Sequence, residues 1–208
     1  MKYSLFFYLT LLFLHPLRAD EPFLKDITQI TFPDMGFEKA GEAYFSPDSK
    51  TIIFQAVPKG KKNYQIYTLQ LGEKKPKLVS TGKGSCTCAF FRPDGKKIIF
   101  ASSHSALMPE EKKDTTGKYV WDLTPYMNIY EANPDGTELK ALTSGPAYHA
   151  ECAYSSDGTE IVYASNETGS MNLYIMNADG SSVRQITHTD YSYNGGPFFF
   201  PKWISHYF

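Results

Sequence analysis

One phrase occurs three times along the chain and limits the folds that are open to it. The copies read AYFSPDSKTIIF from residue 43, AFFRPDGKKIIF from residue 89 and CAYSSDGTEIVY from residue 152. Each copy has an aromatic residue, then a turn centred on Asp48, Asp94 or Asp157, then an apolar run. Proline presets φ, aspartate bonds back to the backbone and glycine accepts a positive φ. Each copy therefore predicts a β-hairpin.

Two further phrases follow each hairpin and complete a repeated unit. The first reads QIYTLQL, NIYEANPDG and NLYIMNADG, and its last two copies end in turns at Asp135 and Asp179. The second reads KLVS, KALT and RQIT. Four short strands in roughly 45 residues is the size of a propeller blade. The sequence therefore predicts an all-β fold, a β-propeller of four-stranded antiparallel blades with about three complete blades and the start of a fourth.

The repeats also predict where each blade begins and ends. TQIT near the N-terminus matches the last-strand phrase RQIT, so we expect a strand at 26–32 that closes a ring. Complete blades are expected at about 37–82, 83–145 and 146–190, followed by a partial blade at 191–208. The second blade carries an insertion at 104–127.

The N-terminal residues differ in composition from the rest. Lys2 precedes the apolar run YSLFFYLTLLFLH, and a small residue, Ala19, follows it. These features are typical of a secretory signal peptide at 1–19, which leaves a mature chain at 20–208. The apolar run is shorter than the roughly 20 residues that cross a membrane. We therefore expect a periplasmic or secreted protein with no membrane span after cleavage, and an uncleaved anchor is the alternative.

Charge and cysteine content exclude some classes of protein. The formal net charge is -1, from 21 basic and 22 acidic residues. This balance provides no overall attraction to nucleic acid, so no nucleic-acid partner is expected. The chain has 3 cysteines, too few for a disulfide-dense scaffold.

The phrases FSPDSKTIIF, FRPDGKKIIF and NLYIMNADGSSVRQIT resemble the WD40-like propeller repeats of the TolB family. They are also similar to the N-terminal propeller of prolyl-oligopeptidase-type peptidases. The resemblance implies a propeller fold, whereas function varies widely among such repeats. TolB proteins carry an α/β domain before the propeller, which is not expected here. The peptidases carry a hydrolase domain, and this sequence contains no Gly-x-Ser-x-Gly nucleophile elbow.

The repeat pattern breaks after Phe199. The chain continues FPKWISHYF where a Ser-Pro-Asp-Gly turn would follow. Reading the back-translated codons one base later permits Ser-Pro-Asn-Gly, so we expect a truncated or frameshifted copy of a longer propeller, and a genuine divergent terminus is the alternative. An incomplete ring leaves open blade faces, and self-association through those faces is therefore expected.

One alignment position selects candidate ligand contacts. Glu42, Cys88, Glu151 and Gly196 each lie five residues before the turn proline position, and His149 and Cys86 lie two residues earlier. First strands line the channel of a propeller, so these side chains are predicted to converge near its mouth. They form either a solvated polar rim or a metal site, and we assign no metal because no recognised ligand spacing occurs. Cys86 and Cys88 are alternatively a disulfide pair, and Cys152 is expected as a packed thiol.

The insertion contributes a second set of candidate contacts. Tyr119, Trp121 and Tyr126 lie close together in it, and aromatic clusters of this kind are plausible contacts for a partner. The alternative is that they pack over their own blade. The five turn residues Asp48, Asp94, Asp135, Asp157 and Asp179 recur once per unit and are predicted to be structural.

These observations favour a non-enzymatic, extracytoplasmic binding or scaffold protein of TolB-like type. Its expected partner is a protein or a cell-envelope component. No catalytic residue and no cofactor is predicted, since serine, histidine and aspartate occur here in turn phrases rather than in a nucleophile context. The alternatives are the remnant of a propeller-bearing hydrolase or lyase, acting on peptides or glycans, and a gene product with no role of its own.

Overall fold

A computed structural model describes residues 24–106 and 123–200, and it contains three four-stranded antiparallel sheets. This architecture confirms the predicted all-β fold of propeller blades. Blade 1 comprises β1 (Phe37–Phe45), β2 (Thr51–Pro58), β3 (Gln65–Gln70) and β4 (Lys77–Leu78). Blade 2 comprises β5 (Cys86–Phe91), β6 (Ile98–Ser102), β7 (Asn128–Ala132) and β8 (Lys140–Ala141). Blade 3 comprises β9 (His149–Tyr154), β10 (Glu160–Ser165), β11 (Asn172–Asn177) and β12 (Arg184–Gln185).

Consecutive strands are neighbours in every sheet, so each blade is a simple meander. The aspartates stabilise the tight turns between strands. The Asp48 carboxylate accepts hydrogen bonds from the Ser46 hydroxyl at 2.7 Å and the Lys50 N–H at 3.2 Å. The remaining four turn carboxylates accept equivalent bonds from residues two positions away, at Asp94, Asp135, Asp157 and Asp179. The acidic residues that recur in the sequence therefore act within the turns themselves.

The N-terminal segment differs from the sequence prediction. Residues 24–32 contain no strand, although a strand is expected at 26–32, and the first regular element is a short 3-10 helix at Pro33–Met35. The matching phrases in the blades form strands of two residues each, β4, β8 and β12, and all three pair with the third strand of their own sheet. A phrase of this kind has little capacity to form a strand by itself. The predicted signal peptide at 1–19 lies outside the described residues.

Neighbouring blades pack face to face through apolar residues at equivalent positions. Ile53, Ile66 and Val79 of blade 1 pack in one cluster with Ile98 and Phe100 of blade 2. The same positions recur between blades 2 and 3, where the cluster contains Ile99, Ile129, Leu142, Ile161 and Tyr163. Full burial of one such side chain contributes about 1.5–3 kcal/mol. The principal stabilisation therefore lies between sheets, and a blade depends on its neighbours.

A glycine allows the backbones of neighbouring blades to approach closely. Gly136, in the Asp-Gly turn of blade 2, has φ +85°. A Cβ atom at this position would overlap the carbonyl oxygen of Val79 in blade 1. The equivalent Gly180 of blade 3 stands in the same relation to Leu142 of blade 2, where the Cβ-to-oxygen distance would be 2.9 Å. Glycine is needed here both for its positive φ and for the missing side chain.

Residues 194–199 occupy the place of a further first strand, although they are not a regular strand. The Asn194 N–H donates to the Met171 carbonyl at 3.1 Å, as the Cys86 N–H does to Tyr64 at 3.0 Å. Phe199 packs against Val162 and Ile175 of blade 3. The segment lies where a fourth blade is expected to begin, and the part of the expected blade at 201–208 lies outside the described residues.

The part of the chain that the structure describes has no helix whose length and apolar character would suit a bilayer crossing.

Candidate functional site

Each first strand carries a β-bulge at the alignment position that the sequence selects. In β1, Glu42 and Ala43 lie opposite the single residue Phe54 of β2. Glu42 has φ 50°, Cys88 has φ 54° and Glu151 has φ 55°. An L-residue in this left-handed region costs roughly 1–2 kcal/mol. The same unfavourable backbone conformation is therefore retained in all three blades.

A large aromatic residue of the second strand lies opposite each bulge. Phe54, Phe100 and Tyr163 stand opposite the three bulges and are 1%, 0% and 1% exposed. A bulge bends its strand and re-aims the side chain that it carries. Gly196, at the fourth aligned position, has φ 60°, so the segment at 194–199 continues the same backbone geometry.

The re-aimed side chains line one cavity of about 530 Å³. Its walls include Glu42, Cys88, Glu151 and Gly196, which are the four aligned positions. These four positions therefore lie on one cavity, and the cavity adds aromatic residues to them. The aromatic lining residues are Tyr44, Phe90, Tyr148, Tyr193 and Phe198.

Three of these rings form a continuous aromatic wall. The ring centroids of Tyr44 and Phe90 are 3.9 Å apart, and Phe198 lies 5.5 Å from Phe90 in an edge-on arrangement. Phe198 also lies 6.3 Å from Tyr44. These three residues also occupy equivalent positions of the repeat, because each lies two positions after Glu42, Cys88 or Gly196. An alignment extended by two residues would therefore have identified them from the sequence.

The Glu151 carboxylate joins β9 to the segment that follows blade 3. It accepts hydrogen bonds from the Tyr193 hydroxyl and from the Gly196 N–H. A Cβ atom at Gly195 would overlap both this carboxylate and the Tyr193 ring, so a side chain there would displace these groups. Burial, and then the bond to Glu151, raise the pKa of Tyr193. Glu151 therefore positions one wall of the cavity.

The Glu42 carboxylate is exposed to solvent at the cavity but is surrounded by protein on several sides. Desolvation is the main cause that raises its pKa, and the nearby charge of Glu151 adds to the shift. The polar side chain of Cys88, and to a smaller extent that of Thr87, opposes this shift. The neighbouring Tyr44 has its pKa raised to about 12, mainly by burial and then by Glu42. The cavity is therefore a partly desolvated region that holds two carboxylates.

Cys88 lies between these carboxylates as a protonated thiol. Burial, and then the charge of Glu42, raise its pKa well above the usual range of a cysteine. The Thr87 hydroxyl lies 3.2 Å from the Cys88 sulfur and donates to the Gln55 carbonyl oxygen at 2.7 Å. A thiol with a raised pKa is a poor nucleophile, because thiolate is the reactive form.

All three cysteines are free and buried. Cys86 donates to the Ser102 hydroxyl at 3.2 Å, and Cys152 donates to the Cys88 carbonyl at 3.6 Å. Residues two apart in a regular strand share a face, which is the basis for pairing Cys86 with Cys88. The bulge at Cys88 breaks this alternation and turns its side chain into the cavity. The structure therefore has no disulfide, and Cys152 is the packed thiol that its alignment with alanine predicts.

His149 does not line the cavity, contrary to the expected convergence with Glu151. It is 3% exposed, and its ring lies 6.1 Å from that of Tyr163. Its Nδ1 has no hydrogen-bond partner, and burial lowers the pKa of the ring. The bulge at Glu151 directs the side chains of His149 and Glu151 apart. The bulge at Cys88 acts in the same way on Cys86 and Cys88. Within residues 24–106 and 123–200, there is no group of three or more histidine, cysteine, aspartate or glutamate side chains that could bind a metal ion.

The insertion residues are not brought into the cavity as a group. Tyr119 and Trp121 lie outside the described residues. Tyr126 is 43% exposed, has φ 59° and donates its N–H to the Pro146 carbonyl at 3.1 Å, and it does not line the cavity. Leu123, which sequence reasoning missed, is 40% exposed and does line it. No pattern in the sequence distinguishes Leu123 from an ordinary loop leucine.

The fold and its bulged first strands define the chain as part of a β-propeller, and no family model matches the sequence. Its blades are TolB-like in structure. A protein assigned as TolB in Agrobacterium tumefaciens matches with a TM-score of 0.55 and 19% identity, over 71% of this chain and 50% of that one. TolB from Acinetobacter baumannii matches with a TM-score of 0.55 and 26% identity, over 74% of this chain and 33% of that one.

Enzymes occur among the similar structures as well. Puromycin hydrolase matches with a TM-score of 0.52 and 14% identity, over 73% of this chain and 23% of that one. A prolyl endopeptidase matches with the same TM-score and identity, over 73% of this chain and 22% of that one. At this identity the likeness shows the fold alone. This chain spans about half the length of the first TolB structure and about a third of the second.

Proposed function

We propose that this chain is a non-enzymatic, extracytoplasmic binding protein and that the cavity lined by the three bulges is its ligand site. The supporting observation is that every blade places an unfavourable left-handed residue at this cavity and nowhere else in its first strand. Backbone strain of this kind persists only where the surrounding structure maintains it, and it is common at binding sites. A concave site with aromatic walls and a few polar groups is the usual form of a ligand pocket.

The chemistry of the cavity favours binding over catalysis. Its thiol, Cys88, is held protonated by burial and by Glu42. The Glu151 carboxylate is engaged by Tyr193 and Gly196, which gives it a positioning role. The hydroxyl of Thr87 donates to Gln55 at 2.7 Å, so its proton is already held by an amide rather than by a general base.

Features of the sequence and of the fold support the proposed cellular location and class of partner. An N-terminal run typical of a signal peptide supports action in the periplasm or outside the cell. The TolB-like fold supports a protein or cell-envelope component as the partner. Mass spectrometry of the N-terminus of the mature chain tests export directly, because signal cleavage predicts a chain that starts near Asp20.

Site-specific photo-crosslinking tests the ligand site. We would place p-benzoylphenylalanine at Leu123, which lines the cavity and is 40% exposed. The matched control is Leu71, which is 38% exposed and does not line the cavity. In the native cell, a defined crosslinked product at Leu123 that is missing at Leu71 is the expected result. Equal labelling at both positions, or no product at Leu123, would contradict the assignment of this cavity as the ligand site.

A further inference from the structure

The charged residues among the described lining of the cavity are all acidic. Glu42 and Glu151 line it, and none of the described lining residues is lysine, arginine or histidine. A concave surface with low-dielectric walls focuses the field of its charged groups and concentrates ions of the opposite sign. The two carboxylates therefore make the cavity attractive to a cation, although the chain as a whole is close to neutral with a net charge of -1.

The uncharged lining suits an organic cation better than a bare metal ion. The Tyr44, Phe90 and Phe198 rings cover one wall and provide apolar surface beside the carboxylates. Aromatic faces attract ammonium groups and also cover methylene groups. A hard metal ion would need several oxygen ligands. The described residues contain no group of three or more histidine, cysteine or acidic side chains that could bind one.

The two carboxylates differ in the contacts that they already make within the protein. Glu151 accepts bonds from Tyr193 and Gly196 and so maintains one wall. Glu42 is exposed to solvent, and the Cys88 and Thr87 side chains beside it are neutral. The charge of Glu42 therefore has no cationic partner among the described lining residues. Glu42 is therefore the carboxylate available to a ligand.

Building on the proposed binding function, we propose that this cavity binds a primary ammonium group on an aliphatic arm, as in a lysine side chain. Glu42 receives the ammonium group in an ion pair. The rings of Tyr44, Phe90 and Phe198 contact the methylene groups. Glu151 adds negative charge and positions the wall at 193–196.

Isothermal titration calorimetry with three blocked tripeptides tests this inference. The probes are N-acetylated and C-amidated Gly-Lys-Gly, Gly-norleucine-Gly and Gly-Glu-Gly, which differ in one side chain. The lysine peptide is expected to bind at least about tenfold more tightly than the norleucine peptide, and the glutamate peptide more weakly than both. The lysine preference should fall as salt is raised, since salt screens an ion pair at an exposed carboxylate.

The variant Glu42→Gln separates charge from shape. It should weaken the lysine peptide about tenfold and leave the norleucine peptide unchanged. The control Glu73→Gln removes one negative charge from an exposed residue outside the cavity and should change neither affinity. Equal thermal unfolding of the two variants would establish that Glu42→Gln folds normally.

Three results would overturn the ammonium inference. The first is a norleucine or glutamate peptide that binds as tightly as the lysine peptide. The second is the failure of all three peptides to bind, and the third is a lysine affinity that does not change in Glu42→Gln. None of these results removes the ligand site itself, which is judged by the crosslink at Leu123.

Discussion

The first strands of blades 1 and 3 have the same phrase and the same bulge but very different burial. Most residues of β1 are exposed, whereas β9 is almost entirely buried. Ala43 of β1 is exposed, and the aligned Ala89 and Cys152 are 2% and 0% exposed. Cys152 donates to the Cys88 carbonyl of the preceding blade, a contact that β1 cannot make because blade 1 follows no other described blade. Burial at these positions is therefore a property of the neighbouring blade, and the strand sequence only permits it.

The glycine-containing turns after the third strands also differ between blades. A Cβ atom at Gly136 of blade 2 would overlap the Val79 carbonyl, whereas one at Gly72 of blade 1 would meet nothing within 4 Å. Both glycines have nearly the same φ, +85° and +86°. Matched substitutions in blade 1 and in later blades therefore separate the effect of blade contact from the effect of local conformation.

The largest contrast is expected in thiol reactivity. Burial raises the pKa of Cys86 to about 11 and that of Cys152 to about 12, so the native thiols should react with Ellman's reagent at pH 8 only after unfolding. Ala43→Cys places a thiol in blade 1 at the position of Cys152, where it is exposed. It should react on the order of a thousandfold faster than the native thiols. An unreactive Cys at position 43, or a native Cys152 that reacts equally fast, would show that the two first strands do not differ in how far they are covered.

A buried charge should produce the next largest difference. Ala89→Asp places a carboxylate between blades 1 and 2, where it has no partner, and should cost about 3–5 kcal/mol of unfolding free energy. Ala43→Asp puts the same group on the exposed β1 and should cost under about 1 kcal/mol. Urea denaturation of the two variants measures both values. Similar losses in the two variants would refute the role of the neighbouring blade.

The paired glycine substitutions should give a smaller difference. Gly136→Ala is expected to cost roughly 2–4 kcal/mol, from a left-handed alanine and from overlap with Val79. Gly72→Ala incurs only the cost of a left-handed alanine and should lose about 1 kcal/mol of unfolding free energy. The difference in urea midpoint between the variants measures the inter-blade contact. A Gly72→Ala variant as unstable as Gly136→Ala would indicate that conformation alone accounts for both.

The smallest effect concerns the turns of blades 1 and 2. Arg92 donates two hydrogen bonds to Asp94 and is the main cause that lowers the pKa of Asp94 to about 2, whereas Asp48 has Ser46 in that place. A lowered folded-state pKa means that the stabilisation is present above the unfolded value of 3.8 and is lost as the pH falls toward 2. Arg92→Ala should raise the pKa of Asp94 toward 3.8, as measured by NMR titration. The change in stability should be small, because the pair is exposed to solvent.

The turn alignment accounts for much of the fold and for part of the site. It predicts four strands per blade, and it places Glu42, Cys88 and Glu151 at the positions that line the cavity. It cannot predict the left-handed φ of these residues, because none of them is glycine or asparagine. That conformation sends His149 and Cys86 away from the cavity, where simple alternation would place them with Glu151 and Cys88.

The central claim is that equivalent positions in successive blades converge on one cavity, which the segment at 194–199 completes. Phe198 lies 5.5 Å from Phe90 and 6.3 Å from Tyr44, although these residues come from three different units of the repeat. Nuclear Overhauser effects between the ring protons of selectively labelled phenylalanine and tyrosine test this arrangement most directly. Cross-peaks from Phe198 to both Phe90 and Tyr44 are predicted. A Phe198 ring with cross-peaks to neither residue would contradict the claim.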